Sequence, residues 1–149
     1  MKRVGAALLA YGLVELCHVS LTSYRALGRS GLLVSPLALG TMTFGTAGWG
    51  SSGDQSREVF DAYVDAGGNF VDTADVYAGG RSEELLGSFI AERGWRDRLV
   101  VATKAGFGAG PGPNAGGNGA KHLHSALSGS LRRLQTYYVD LYWIHVWTR

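Results

Sequence analysis

The sequence predicts an α/β fold built on a parallel sheet that curls toward a barrel. Three observations lead there. Short apolar runs, Leu37-Ala38-Leu39-Gly40, Asn69 to Asp72, Leu99 to Lys104 and Val139 to His145, alternate with stretches whose apolar residues recur at helical spacing. These units follow one another through mostly short connections, as parallel strands with crossover helices do. Finally, the last three runs end in Asp72, Lys104 and His145, with Tyr77 five residues beyond Asp72. Polar groups then gather at one end of the sheet, where such folds do chemistry.

Each element has its own signal. Tyr24 to Leu27, the glycine-bracketed turn Gly28 to Gly31, and Leu32 to Ser35 read as a hairpin that Pro36 ends. Leu37 to Gly40 reads as a short buried strand, followed by a glycine- and serine-rich loop from Gly45 to Gly53 that carries Trp49. Asp54 can cap a helix over Gln55 to Ala66, with Val59, Phe60, Tyr63 and Val64 inward and Gly67-Gly68 as the stop. After strand 69–72, Ser82 reads as the cap of a second helix, Glu83 and Glu84 favour its dipole, and Gly94 closes it. Strand 99–104 leads into a long glycine- and proline-rich loop, Gly106 to Gly119, read as mobile and lying over the substrate side. A third helix from about Lys121 to Gln135, with Leu123, Leu127, Leu131 and Leu134 inward, precedes strand 139–145.

Composition narrows the function. A chain of 149 residues, 46% of them hydrophobic, can bury one core. A formal charge of +2 without basic runs leaves no electrostatic footprint for nucleic acid or an anionic membrane, which favours a small-molecule partner. The single cysteine, Cys17, excludes an internal disulfide and fits a reducing compartment. His18, His122, His124 and His145 form no Cys/His cluster, and His122 and His124, two apart, point away from each other on a helix, so no metal site is expected. Residues 1–23 stand apart as an N-terminal extension. Lys2 and Arg3 precede the apolar stretch Val4 to Val14, a signal-like shape, but Glu15 ends it short of membrane-spanning length and no small-x-small cleavage site follows closely.

The polar set suits protonation of a carbonyl oxygen. A phenol with a solution pKa near ~10 is a poor acid at neutral pH, and an ammonium held close favours the phenolate. Tyr77 and Lys104 can form that pair, Asp72 can hold Lys104 charged and aimed, and His145 can orient a substrate oxygen. The plainer alternatives are a structural ion pair between Asp72 and Lys104, a tyrosine used for packing, and a histidine packed beside Trp143 and Trp147.

Five segments resemble the aldo-keto reductase superfamily: Tyr24 to Ser35, Leu39 to Gly45, Val71-Asp72-Thr73-Ala74-Asp75-Val76-Tyr77, Ser82 to Gly87, and Asp140-Leu141-Tyr142-Trp143-Ile144-His145. The branch it looks most like contains bacterial reductases related to potassium-channel beta subunits, and the resemblance covers residues 24–149. It implies a (β/α)8 TIM barrel, of which the hairpin and about four of the eight strands are here, since such barrels take roughly 250 residues. It also implies NADPH across the barrel mouth, Tyr77 as proton donor with Asp72, Lys104 and His145 in support, and Gly40, Thr41, Met42 and Asp72 near the nicotinamide and its ribose. A cytoplasmic location follows from the same likeness.

The activity so implied is NADPH-dependent reduction of an aldehyde or ketone. The family's later contacts to the carboxamide, the nicotinamide face and the 2′-phosphate have no counterpart in these residues. Gly106 to Gly119 has neither a phosphate-loop ending nor a dinucleotide fingerprint to replace them. Weak or absent turnover by this chain alone is therefore expected. The alternative is a non-catalytic fragment or binding subunit that self-associates or takes a complementing chain through the open strand edge at 139–145.

Overall fold

The computed structural model of the chain describes residues 19–108 and 110–147. The signal-like stretch at residues 4–14, Cys17 and His18 lie outside them. Strands β1 (Arg25–Ala26) and β2 (Leu33–Val34) form a short antiparallel hairpin, with Arg25 opposite Val34. Then come β3 (Leu39–Gly40), α1 (Gly53–Asp65), β4 (Phe70–Asp72), α2 (Arg81–Arg93), β5 (Val100–Ala105), α3 (Ala120–Arg133) and β6 (Leu141–Ile144). The order β3-β4-β5-β6 is sequential and every pairing is parallel.

Strand alternation divides the sheet into two unlike faces. Val71, Leu99 and Val101 point toward the helices, where they join Phe60 and Val64 of α1, Leu85, Leu86, Phe89 and Ile90 of α2, and Leu134 after α3 in one core. All three helices thus cover the same face, the barrel arrangement rather than the doubly wound one, which carries helices on both faces. The other face is open: Ala38 and Gly40 of one edge are exposed, and Trp143 of the other is 45% exposed. The short buried strand expected at Leu37 to Gly40 is corrected here, because it is an edge strand whose inward side looks into that open concavity.

The helix starts also differ from expectation. Ser52, not Asp54, caps α1: its hydroxyl accepts from Gln55 N–H while the Gln55 side chain accepts from Ser52 N–H. Val59, expected inward, is 45% exposed. Helix α2 begins at Gly80, in the left-handed region at φ 97°, with no side-chain cap. Ser82 therefore falls inside the first turn, buried, donating to Thr41 O at 2.7 Å and sharing hydrogen bonds with the hydroxyls of Thr41 and Thr73. It stitches the ends of β3 and β4 to α2.

Glu83, read as a dipole partner, is fully buried. Its carboxylate accepts from Thr103 Oγ1 at 2.5 Å and Arg133 Nε at 2.7 Å, joining α2, β5 and α3. Close packing at the same place needs Gly87, since a Cβ there would sit 2.5 Å from the Arg133 carbonyl oxygen. On α3 the buried residues are His122, Gly129 and Ser130, with Leu123, Leu127 and Leu131 only half-buried and His124 exposed.

Removing one partner from a buried ion pair strands the other charge. Arg133→Leu is expected to destabilise the fold by about 3 kcal/mol in urea unfolding, and Glu83→Leu added to it to restore part of the loss. Ser52→Ala is expected to cost about 1 kcal/mol through the lost cap, read the same way.

Candidate active site

Parallel register delivers the polar residues to one end. Gly40 pairs with Asp72 and Asp72 with Ala102, while Lys104 pairs with Trp143 and Ala105 with Ile144. His145 N–H continues the ladder to Ala105 O at 2.8 Å. Asp72, Lys104 and His145 consequently stand at the C-terminal edge, and line a cleft of about 570 Å³ with Gly40, Phe70 and Trp143. The chain leaves that edge through Tyr77, then turns sharply through Ala78 at φ 50°, Gly79 at 65° and Gly80 at 97° into α2. Ala78 holds a left-handed conformation unusual for a residue with a Cβ, directly beside Tyr77.

The Lys104 ammonium, with its side chain only 15% exposed, has three acceptors: Asp72 Oδ2 at 2.6 Å, Thr73 O at 2.6 Å and Tyr77 Oη at 3.1 Å. Its three protons are all used. Tyr77 Oη thus accepts from a cation and keeps its own proton free to donate elsewhere. The His145 ring meets Tyr77 edge-on, centroids 5.6 Å apart, and Phe107 edge-on from another side at 4.9 Å. Burial, and then the positive charge of Lys104, push the His145 imidazole below its ordinary 6.5, partly offset by Asp72. It is a neutral hydrogen-bonding group at pH 7.

The four residues read from the sequence are therefore brought together. Of the three others, Gly40 and Met42 are exposed, and a Cβ at Gly40 would meet nothing within 4 Å. Thr41 goes the other way. It is fully buried, its N–H donates to Asp72 O at 2.9 Å, and its hydroxyl bonds Ser82. Its side chain is buried and braces the strand ends. The structure adds two neighbours of His145. Trp143 shares a strand face with His145 by the period of two and was legible on that ground, whereas Phe107, reaching His145 from the glycine-rich loop, has no sequence signal. That loop is tied at its ends by Gly117 N–H to Gly106 O at 2.9 Å and Asn118 Nδ2 to Val146 O at 3.0 Å.

Among the described residues no set of three or more His, Cys, Asp or Glu is placed to hold a metal ion, and no helix is long and apolar enough to cross a membrane.

The sequence pattern of the Aldo/keto reductase family matches residues 36–149. The chain belongs to that family. It is 42% identical over 123 residues to an aryl-alcohol dehydrogenase of Pestalotiopsis microspora, covering 76% of this chain and 32% of that protein. It is 42% identical over 128 residues to a norsolorinic acid reductase of Emericella nidulans (79% and 33%). A protein of Oryza sativa subsp. japonica named as a probable voltage-gated potassium channel subunit beta is 43% identical over 123 residues (82% and 37%). Among solved structures, an aldo-keto reductase of Bacillus halodurans in its holo form superposes with a TM-score of 0.68 at 35% identity, over 80% of this chain and 38% of that one. A Pseudomonas aeruginosa protein assigned to the same enzymes gives 0.73 at 33% identity, over 87% and 49%. The chain spans about a third of the length of these curated relatives.

The lowered His145 value sets a pH dependence. Unfolded, the imidazole takes a proton near 6.5; folded, it does so only at lower pH, so the folded form loses stability as pH falls through 6.5 and the loss levels off below the folded value. The urea midpoint is expected to drop between pH 7.5 and 5.5, and to drop less in His145→Asn.

Proposed function

We propose that the chain carries the proton-donating side of an NADPH-dependent carbonyl reductase, acting on an aldehyde or ketone. The observation that supports this reading is the Lys104 ammonium, held between Asp72 and Tyr77 with its hydrogen bond to Tyr77 Oη at 3.1 Å. As a carbonyl gains negative charge on oxygen, Tyr77 Oη–H donates its proton there. Lys104, already hydrogen-bonded to that oxygen, stabilises the phenolate left behind. Asp72 and the Thr73 carbonyl keep the ammonium aimed, and solvent returns the proton to Tyr77. His145, neutral, hydrogen-bonds the substrate oxygen and fixes its approach.

The residues fit one end of a nicotinamide cofactor. Gly40 offers an open surface beside the Asp72 carboxylate in the cleft, Met42 is exposed just after it, and the ammonium of Lys104 is committed internally. When bound, the reduced nicotinamide supplies the hydride to the carbonyl carbon. The choice of NADPH over NADH and a cytoplasmic setting rest on the family.

A second reading has its own observation. Among the described residues β3 and β6 each have a neighbour on one side only, and β6 exposes Trp143 and Ile144. On this reading the strands contribute to a barrel completed by further strands, from a second copy or a complementing chain, and the carbonyl-reducing site works only in that assembly.

The test is NADPH titration by fluorescence, then NADPH oxidation with 4-nitrobenzaldehyde, at known oligomeric state. Tyr77→Phe is expected to leave binding unchanged and lower kcat by about 10²-fold or more. Loss of binding with the hydroxyl, or an unaltered rate, would refute the role of Tyr77. Activity that rises with an associated species would favour the second reading.

A further inference from the structure

Behind the loop that carries Tyr77 lies a second cavity, of about 660 Å³, between that loop, the glycine-rich loop after β5 and helix α3. None of Asp72, Tyr77, Lys104 or His145 lines it. Asp75, His122, Ser125, Gly129, Arg132 and Arg133 do. Two side chains of this wall each carry a buried polar atom, Asp75 Oδ1 and His122 Nε2, without a hydrogen-bond partner among the described residues, and His122 is only 5% exposed. Buried polar atoms are nearly always paired, so two unpaired ones on side chains beside one cavity point to partners met when those side chains turn toward it.

The charges around that wall are of both signs and only partly used. Arg133 gives Nε to Glu83 at 2.7 Å and Nη2 to Ser130 Oγ at 3.4 Å, which leaves Nη1 among the described residues. Arg132 is exposed, and the ion pairs of the described residues include neither it nor Asp75. Burial, with Glu83 nearby, pushes the Asp75 carboxyl up, while Arg133 and His122 pull it down, so Asp75 lies among charges of both signs. A bare anion here would face the Asp75 carboxylate and a bare cation two guanidinium groups. A molecule carrying both charges satisfies the two sets together.

We propose that this cavity is a second binding site, for a small zwitterion with the chemistry of a free α-amino acid or dipeptide. Asp75 and His122 accept hydrogen bonds from its ammonium, and Arg132 and Arg133 hold its carboxylate. The site uses none of the residues assigned to carbonyl reduction and stands or falls apart from that reading. It does touch the same loop: Asp75 N–H donates to Lys104 O at 3.1 Å.

The test is amide-shift NMR titration of the 149-residue chain with L-alanine and L-alanyl-L-alanine. Saturable binding of at least one is expected, with shifts centred on residues 75–79 and 122–133. L-Alanine methyl ester, without the carboxylate, and N-acetyl-L-alanine, without the cation, are expected to bind roughly tenfold or more weakly, as loss of a charged hydrogen-bonding group implies. Arg132→Gln, at an exposed side chain, is expected to weaken the zwitterion by a similar factor with the fold intact; Asp75→Asn tests the other end. N-acetyl-L-alanine binding as well as L-alanine would make this an anion site and overturn the proposal. So would equal binding of the ester, shifts centred on Lys104 and His145, or no saturable binding of either zwitterion.

Discussion

A lysine ammonium drawn largely out of water must have its protons accepted, and Lys104 meets that demand with a carboxylate, a backbone carbonyl and a phenol. The arrangement has structural consequences before any chemical ones. Asp72 ends β4, Thr73 follows it and Lys104 is next to last in β5, so their bonds close the C-terminal edge of the sheet. Tyr77 enters as the third acceptor, which brings the loop after β4 back over that edge. Because no proton of the ammonium is left over, the phenolic O–H is the group on this cluster still able to donate. A structural ion pair and the proposed proton-donating site are here the same set of bonds.

That edge is held from behind by the first turn of α2. Ser82 reaches Thr41 and Thr73, which flank the strand residues Gly40 and Asp72, and Glu83 reaches Thr103 beside Lys104. Adjacent positions on one helix thus brace the outward-facing neighbours of the inward-facing site residues. Strand alternation explains the division of labour: Thr41, Thr73 and Thr103 point to the helix and become buried hydroxyls, while Gly40, Asp72 and Lys104 point to the cleft. Arg133 completes the support by neutralising Glu83 from α3.

The same alternation accounts for the open concave face. Residues facing the helices find apolar partners and form the core; those on the other face line a cleft in which Trp143 remains 45% exposed. The family match and the superpositions agree with helices on one face of a parallel sheet, and the relatives are longer than this chain.

Order and type of the elements were legible in the sequence, because burial on one face imposes a period of two on strands and of 3.6 on helices whatever their neighbours do. Asp72, Tyr77, Lys104 and His145 were legible for a related reason: parallel strands carry all their C-terminal ends to one edge, so polar residues closing successive apolar runs must meet. Caps and buried polar groups were not legible. Ser82 has the composition of a cap and Glu83 that of a dipole partner, and only the left-handed entry at Gly80 moves both two residues further into the helix, where α2 meets β3, β4 and β5. Thr41, in a segment expected to face a cofactor, was likewise turned into the core by its hydrogen bonds to Ser82 and Asp72. Sequence pattern determines which side of its own element a residue occupies; which hydroxyl or carboxylate satisfies another is decided by distances between elements, and those exist only after the chain has packed.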